Sequence, residues 1–98
     1  MDRTAVLETL RRHEPELRAE GVVHLRLFGS VARGEATVGS DVDLVADFDA
    51  AYRRTLVTMA HLENHLSDLL GVRVDLALFN ALKEPVRERV LREAFLAF

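Results

Sequence analysis

The chain is 98 residues long, enough for a single domain spanning 1–98, and with only five Phe and one Tyr its core must be aliphatic. Charged residues make up 30%, which excludes a disordered chain, and the net charge of −3 argues against a dedicated nucleic-acid binder and hence against DNA as a partner. The absence of cysteine excludes disulfides and thiolate zinc sites.

Met1-Asp2-Arg3-Thr4 lacks the apolar stretch of a signal peptide. Arg3 to His13 reads as a helix with Val6, Leu7 and Leu10 on one face. Pro15 breaks or restarts that helix, because proline has no N–H for a helix interior, and Gly21 closes the segment. Val22 to Phe28 is a predicted strand in which Val23, Leu25 and Leu27 alternate with His24 and Arg26. A short helix follows over Ser30–Gly34, then a polar loop over Glu35–Ser40. Asp41 to Phe48 is a second strand, with Val42, Leu44 and Ala46 on one face and Asp41, Asp43, Val45 and Asp47 on the other. Asp49 is the expected N-cap of a long helix, Ala50 to Leu70, whose buried stripe is Tyr52, Leu56, Met59, Leu62, Leu66, Leu69 and Leu70. Gly71 caps its C-terminus. Val72 to Phe79 is a third strand carrying Asp75, and Pro85 suits the first turn of a last helix ending near Phe95. Helices alternating with strands predict an α/β sheet domain. No apolar run approaches the ~18 residues of a membrane span, so the expected location is the cytoplasm, with no membrane partner.

The chemistry concentrates where the first two strands end and begin. Gly29 lets backbone come close to a ligand, and Ser30 opens a helix whose free N–H groups face an anion. The alternative is a plain strand-to-helix turn. Ten residues separate Ser30 from Asp41-Val42-Asp43, two carboxylates leaving one face of a strand. At ~4 Å two such charges repel by about 4 kcal/mol at an effective dielectric of 20, a cost that Mg²⁺ removes. The alternative is a solvated strand edge. Asp75 interrupts the apolar run Val72–Phe79, and a carboxylate there is costly unless paired or metal-bound. If the third strand lies beside the second, Asp75 joins Asp41 and Asp43 in a two-metal site. Otherwise it pairs with an arginine such as Arg73 or Arg26.

The segments Leu27-Phe28-Gly29-Ser30-Val31-Ala32-Arg33-Gly34-Glu35-Ala36 and Ser40-Asp41-Val42-Asp43-Leu44-Val45, with Asp75 on a later strand, resemble the minimal nucleotidyltransferase (MNT) branch of the DNA polymerase β-like nucleotidyltransferase superfamily. The likeness runs over nearly the whole chain. It implies an α/β (α+β) fold: a small mixed sheet of three or four strands flanked by helices. It implies Mg²⁺-dependent transfer of AMP from ATP, with Gly29 and Ser30 meeting the triphosphate. Asp41 and Asp43 would carry two Mg²⁺ ions, and Asp75 would complete the catalytic metal and orient or deprotonate the acceptor. Arg33, one helical turn after Ser30, reaches a phosphate or pairs with Glu35 or an aspartate; both readings stay open. Many MNT proteins are antitoxins encoded beside HEPN-domain RNase toxins, and some transfer AMP to a tyrosine of the toxin. The resemblance thus implies a HEPN-toxin partner and a type VII-like antitoxin. Two alternatives are a non-catalytic antitoxin acting by contact and a nucleotidyltransferase acting on a small molecule.

Other polar residues carry blander expectations. His61 and His65 share a helix face, but Leu62 and Asn64 stand where zinc-protease motifs need Glu, so a solvated face is expected. Asp47 reads as a strand edge and His24 as a surface or sheet-packing residue. The last helix sets Arg87, Arg89 and Arg92 against Glu84, Glu88 and Glu93 as a solvated face, while Val86, Val90, Leu91, Phe95, Leu96 and Phe98 hint at a partner surface.

Overall fold

A computed structural model describes residues 1–52 and 54–98. Helix α1 (Arg3–Arg12) is capped by Asp2, whose Oδ1 accepts the Ala5 N–H at 2.8 Å, and it buries Val6, Leu7 and Leu10 as expected. Pro15 restarts the chain in the first turn of α2 (Glu14–Ala19), where its missing N–H leaves no helix bond unmade. Strand β1 (Val22–Phe28) runs into the five-residue helix α3 (Gly29–Arg33), followed by a polar loop and β2 (Val42–Phe48). A 15-residue helix α4 (Leu56–Leu70) leads to β3 (Val74–Leu78). A 3-10 turn (Phe79–Ala81), α5 (Val86–Glu93) and β4 (Phe95–Leu96) complete the chain.

The four strands form one mixed sheet in the order β3-β2-β1-β4. Strand β1 is antiparallel to both neighbours, whereas β2 and β3 are parallel, the pairing that a helical crossover such as α4 permits. Leu25, Leu27, Val42, Leu44 and Ala46 line one face and pack against Val6, Leu10, Leu17, Leu62 and Leu66 in the main core. Val45 on the opposite face joins Phe79 and Val90 in a small second cluster. The alternation predicted for β2 therefore holds, and its acidic face is the thinly covered one. On β1 the alternation is displaced at its start, because an irregularity between Val22 and His24 buries Val22 and leaves Val23 half-buried. The open edge of β3 is closed by α4, as the Val74 N–H donates to Ser67 Oγ and the Leu76 N–H to Glu63 Oε2, both at 3.1 Å.

Several boundaries differ from the predicted ones: the second strand starts at Val42, leaving Asp41 just before it, and the last helix ends at Glu93. Helix α4 starts at Leu56, not Ala50, because Thr55 and Thr58 form a reciprocal capping box, while the Asp49 carboxylate accepts the Ala51 N–H and holds a turn. The predicted helix also took in Arg53, which lies outside the described residues. Leu56 is consequently 92% exposed instead of buried. The third strand begins two residues late and ends at Leu78, where Phe79 enters the 3-10 turn. Lastly, the tail that read as surplus apolar surface forms β4: the Ala97 N–H donates to the Leu25 carbonyl at 2.8 Å, and the Leu25 N–H donates to the Phe98 carbonyl at 3.3 Å. Arg11 fastens this end by donating to the Ala97 and Leu96 carbonyls at 2.8 and 3.0 Å. No helix among the described residues is long and apolar enough to cross a membrane.

Candidate active site

The sheet register brings Asp43 and Asp75 together, while Asp41 precedes β2 and lines a separate cleft. Phe28, the last residue of β1, lies opposite Asp43 on β2, and Asp43 lies opposite Asp75 on β3. Phe28, Asp43 and Asp75 thus follow one another across three neighbouring strands, with Gly29 just beyond the end of the first. Gly29 is buried with φ +79°, a conformation open to glycine, and a Cβ there would run into the Asp43 carboxylate. No side chain caps the N-terminus of α3, which leaves its first N–H groups free for another acceptor. Ser30 sits half-buried in this first turn.

The carboxylates feel one another. Burial, first, and then the charges of Asp75 and Asp41 push the Asp43 pKa above its ordinary value, with Arg33 opposing them. Arg33 itself is exposed and donates to Glu35 Oε2 at 3.0 Å, while its charge still reaches Asp43. Asp75 is exposed, contrary to the expectation of a buried carboxylate, because β3 lies at the sheet edge. Neither arginine considered as its partner pairs with it. Arg73 Nε lies 3.9 Å from Asp41 Oδ2, and Arg26 donates to Asp47 Oδ2 at 2.9 Å. Asp47 is therefore engaged in an ion pair rather than standing as a bare edge residue. His61 is exposed, as a solvated face requires, with Nε2 3.6 Å from Glu20 Oε1, whereas His65 is half-buried with Nδ1 2.6 Å from Glu20 Oε2. His24 is exposed beside the Phe98 carbonyl at 3.3 Å.

Two concavities adjoin the carboxylates. One, of about 460 Å³, lies against Asp41 and is lined in part by Val31, Thr37, Ser40 and Arg73. The other, of about 360 Å³, has Gly29, Asp43 and Asp75 on its rim and a wall that includes Leu82, Val86 and Val90. Sequence reasoning missed this second trough, because its wall comes from the segment after β3 and nothing local marks those residues as lining a site.

The nucleotidyltransferase domain family matches residues 7–97. The chain belongs to that family. This nucleotidyltransferase is 44% identical over 85 residues to the protein adenylyltransferase MntA of Thermococcus cleftensis, an alignment covering 86% of this chain and 84% of that protein. A solved structure from the minimal nucleotidyltransferase group is 48% identical, with a TM-score of 0.74 over 97% of this chain and 95% of that one. The fold also recurs, at 17% identity and a TM-score of 0.66, in a solved complex of a tri-AMPylated HEPN toxin with an MNT antitoxin from Shewanella oneidensis, covering 94% of this chain and 71% of that one.

The site residues of this nucleotidyltransferase fit a hard divalent cation. They are all-oxygen donors, and Asp43 is a carboxylate whose charge is opposed by two like neighbours. Among the described residues, no three acidic or histidine side chains already surround a single point. The expected convergence of all three aspartates in one cleft is thus not seen: Asp43 and Asp75 line one concavity and Asp41 lines the other.

Proposed function

We propose that this chain is a Mg²⁺-dependent protein adenylyltransferase that transfers AMP from ATP to a HEPN-domain toxin and acts as its antitoxin. The observation that carries the reading is the pairing of Asp43 with Asp75 on parallel neighbouring strands, with Gly29 directly against Asp43. Gly29 and the free N–H groups opening α3 receive the triphosphate, and the Ser30 hydroxyl donates to a phosphate oxygen. Asp41 and Asp43, joined by Asp75, hold two Mg²⁺ ions, which would neutralise the charge that builds on the phosphates. Asp75, exposed on the edge strand, is reachable by a hydroxyl of another protein and accepts its proton. Arg33 is a second-rank candidate for the triphosphate, since it would first have to leave Glu35. The adenylyltransferase relative supports AMP as the group moved and a protein as its acceptor.

The test begins with whether a HEPN-domain protein is encoded beside this chain, and continues with incubation of that protein with labelled ATP and Mg²⁺. Label moves to the toxin with the parent chain and falls at least a hundredfold with Asp41→Asn or Asp43→Asn, while circular dichroism shows both variants folded. Transfer that persists in either variant would remove the roles assigned to these carboxylates.

A further inference from the structure

Asp75 stands on the last strand of the sheet. β3 pairs with β2 on one side, and the Asp75 side chain is exposed. In a parallel pair, alternate residues turn their N–H groups toward the neighbouring strand and the residues between turn theirs outward. Val74 and Leu76, the chain neighbours of Asp75, turn theirs outward, away from β2. Bare outward amides leave an edge strand loosely held. Here both are taken by side chains of one helix. Ser67 Oγ accepts the Val74 N–H and Glu63 Oε2 accepts the Leu76 N–H, each at 3.1 Å, and both side chains are half-buried. The spacings match. Four residues on a helix advance about 6 Å, and two residues on a strand advance about 6.6 Å. Helix α4 runs against β3 in the opposite direction and offers two acceptors at the spacing of the strand, where a further strand would otherwise sit.

We infer that Glu63 and Ser67 are positioning residues for Asp75. They stand on α4, touch no reacting group, and act by fixing the strand that carries this carboxylate. The inference rests on the adenylyltransferase reading and deepens it. Asp75 lies opposite Asp43 across the β2–β3 register, and Mg²⁺ demands its oxygen ligands in a near-ideal octahedron. The separation of the two carboxylates therefore has to be held. Neither Arg73 nor Arg26 braces the Asp75 side chain, so its place is decided by the backbone on either side of it. The β2 ladder holds one edge of that backbone, and Glu63 and Ser67 hold the other. Glu63 is the stronger of the two, because an ionised carboxylate makes a charge-assisted bond to an amide. Glutamine keeps an acceptor oxygen at the same reach, whereas alanine leaves the Leu76 N–H without one.

The experiment compares the parent with Glu63→Ala and Glu63→Gln, and uses Ser67→Ala as a second probe of the same edge. Amide hydrogen exchange is read by NMR on the free chain. Glu63→Ala is expected to speed exchange at Leu76 about tenfold, with Leu44 and Leu66 keeping parent rates. Ser67→Ala is expected to do the same at Val74. Exchange that quickens equally at Leu44 and Leu66 makes Glu63 a general stabiliser and overturns the inference. In AMP transfer to the HEPN-domain protein, Glu63→Ala is expected to lower kcat about tenfold and leave KM for ATP within about twofold, since the Gly29 turn is untouched. Glu63→Gln is expected to restore both exchange and kcat. An unchanged kcat in Glu63→Ala, or a raised KM with kcat kept, overturns the positioning role. A parent chain that transfers AMP to no protein defeats the adenylyltransferase reading instead. The positioning is then decided by Mg²⁺ titration of the Asp75 amide signal. Glu63→Ala is expected to need about fivefold more Mg²⁺ than the parent or Glu63→Gln, and an equal response in all three overturns the inference.

Discussion

Asp43 costs the folded protein stability for the sake of the site. Its pKa in the fold lies above the ordinary value of 3.8, through burial and the charges of Asp75 and Asp41. Across the window from that ordinary value up to the raised one, the folded chain holds a proton that the unfolded chain has released. Stability therefore falls as pH rises through the window and stays lowered above it. Without divalent cations, Asp43→Asn is expected to melt at a higher temperature than the parent at pH 7, with the advantage shrinking as pH drops below the window. A melting temperature at pH 7 no higher than the parent's would contradict the cost assigned to this carboxylate. Gly29 shows the same tension from the other side. Gly29→Ala meets both a φ of +79° and the Asp43 carboxylate, whereas Gly34→Ala meets a φ of +75° in open space. Backbone strain of this kind costs on the order of 1–3 kcal/mol, so denaturant melts should show Gly34→Ala within that range and Gly29→Ala beyond it. At this scale the sequence was most legible. Gly29, Ser30, Asp41 and Asp43 are separated by short stretches of chain, and a spacing of two on a strand sends side chains to one face whatever surrounds them. Asp75 was legible as an oddity within an apolar run, but for a mistaken reason, since it is exposed at a sheet edge rather than buried.

Elements were legible where a local signal stood alone and misread where two competed. Strand β1 has the predicted ends because apolar alternation stops at a glycine that must turn. Helix α4 was expected to be capped by Asp49 and is capped by Thr55. Thr55 prevails because Thr58 answers it, donor for acceptor, and Asp49 serves its own turn instead. Thr55→Ala is therefore expected to lose about 1 kcal/mol in chemical unfolding, and Asp49→Ala to leave the helical ellipticity unchanged. A larger ellipticity loss from Asp49→Ala would reinstate the longer helix. Strand β4 was invisible, because two residues carry no periodicity and their pairing depends on the vacant side of β1. This pairing and the Arg11 contacts engage the backbone of the apolar tail, while the side chains of Val86, Leu91, Phe95 and Leu96 stay exposed, as a partner surface requires.

For the whole molecule, a site assembled from three strands ties ligand binding to folding. A ligand bridging α3, β2 and β3 binds the folded chain alone, and one present at a hundred times its dissociation constant adds about 2.7 kcal/mol. Mg-ATP is thus expected to raise the melting temperature of the parent and not of Asp41→Asn, read by scanning calorimetry. An equal rise in both would detach the nucleotide from the carboxylates. The sequence by itself determined the α/β class, the Gly29-Ser30 turn and the closely spaced aspartates, since each depends on neighbours along the chain and on the fixed periodicities of helix and strand. Only the tertiary structure decided that β3 lies parallel to β2 in the register that sets Asp75 beside Asp43, and that the segment after β3 walls an apolar trough next to them. Those depend on which hydrophobic faces meet across the sheet, a choice made by packing between distant segments that no local pattern encodes.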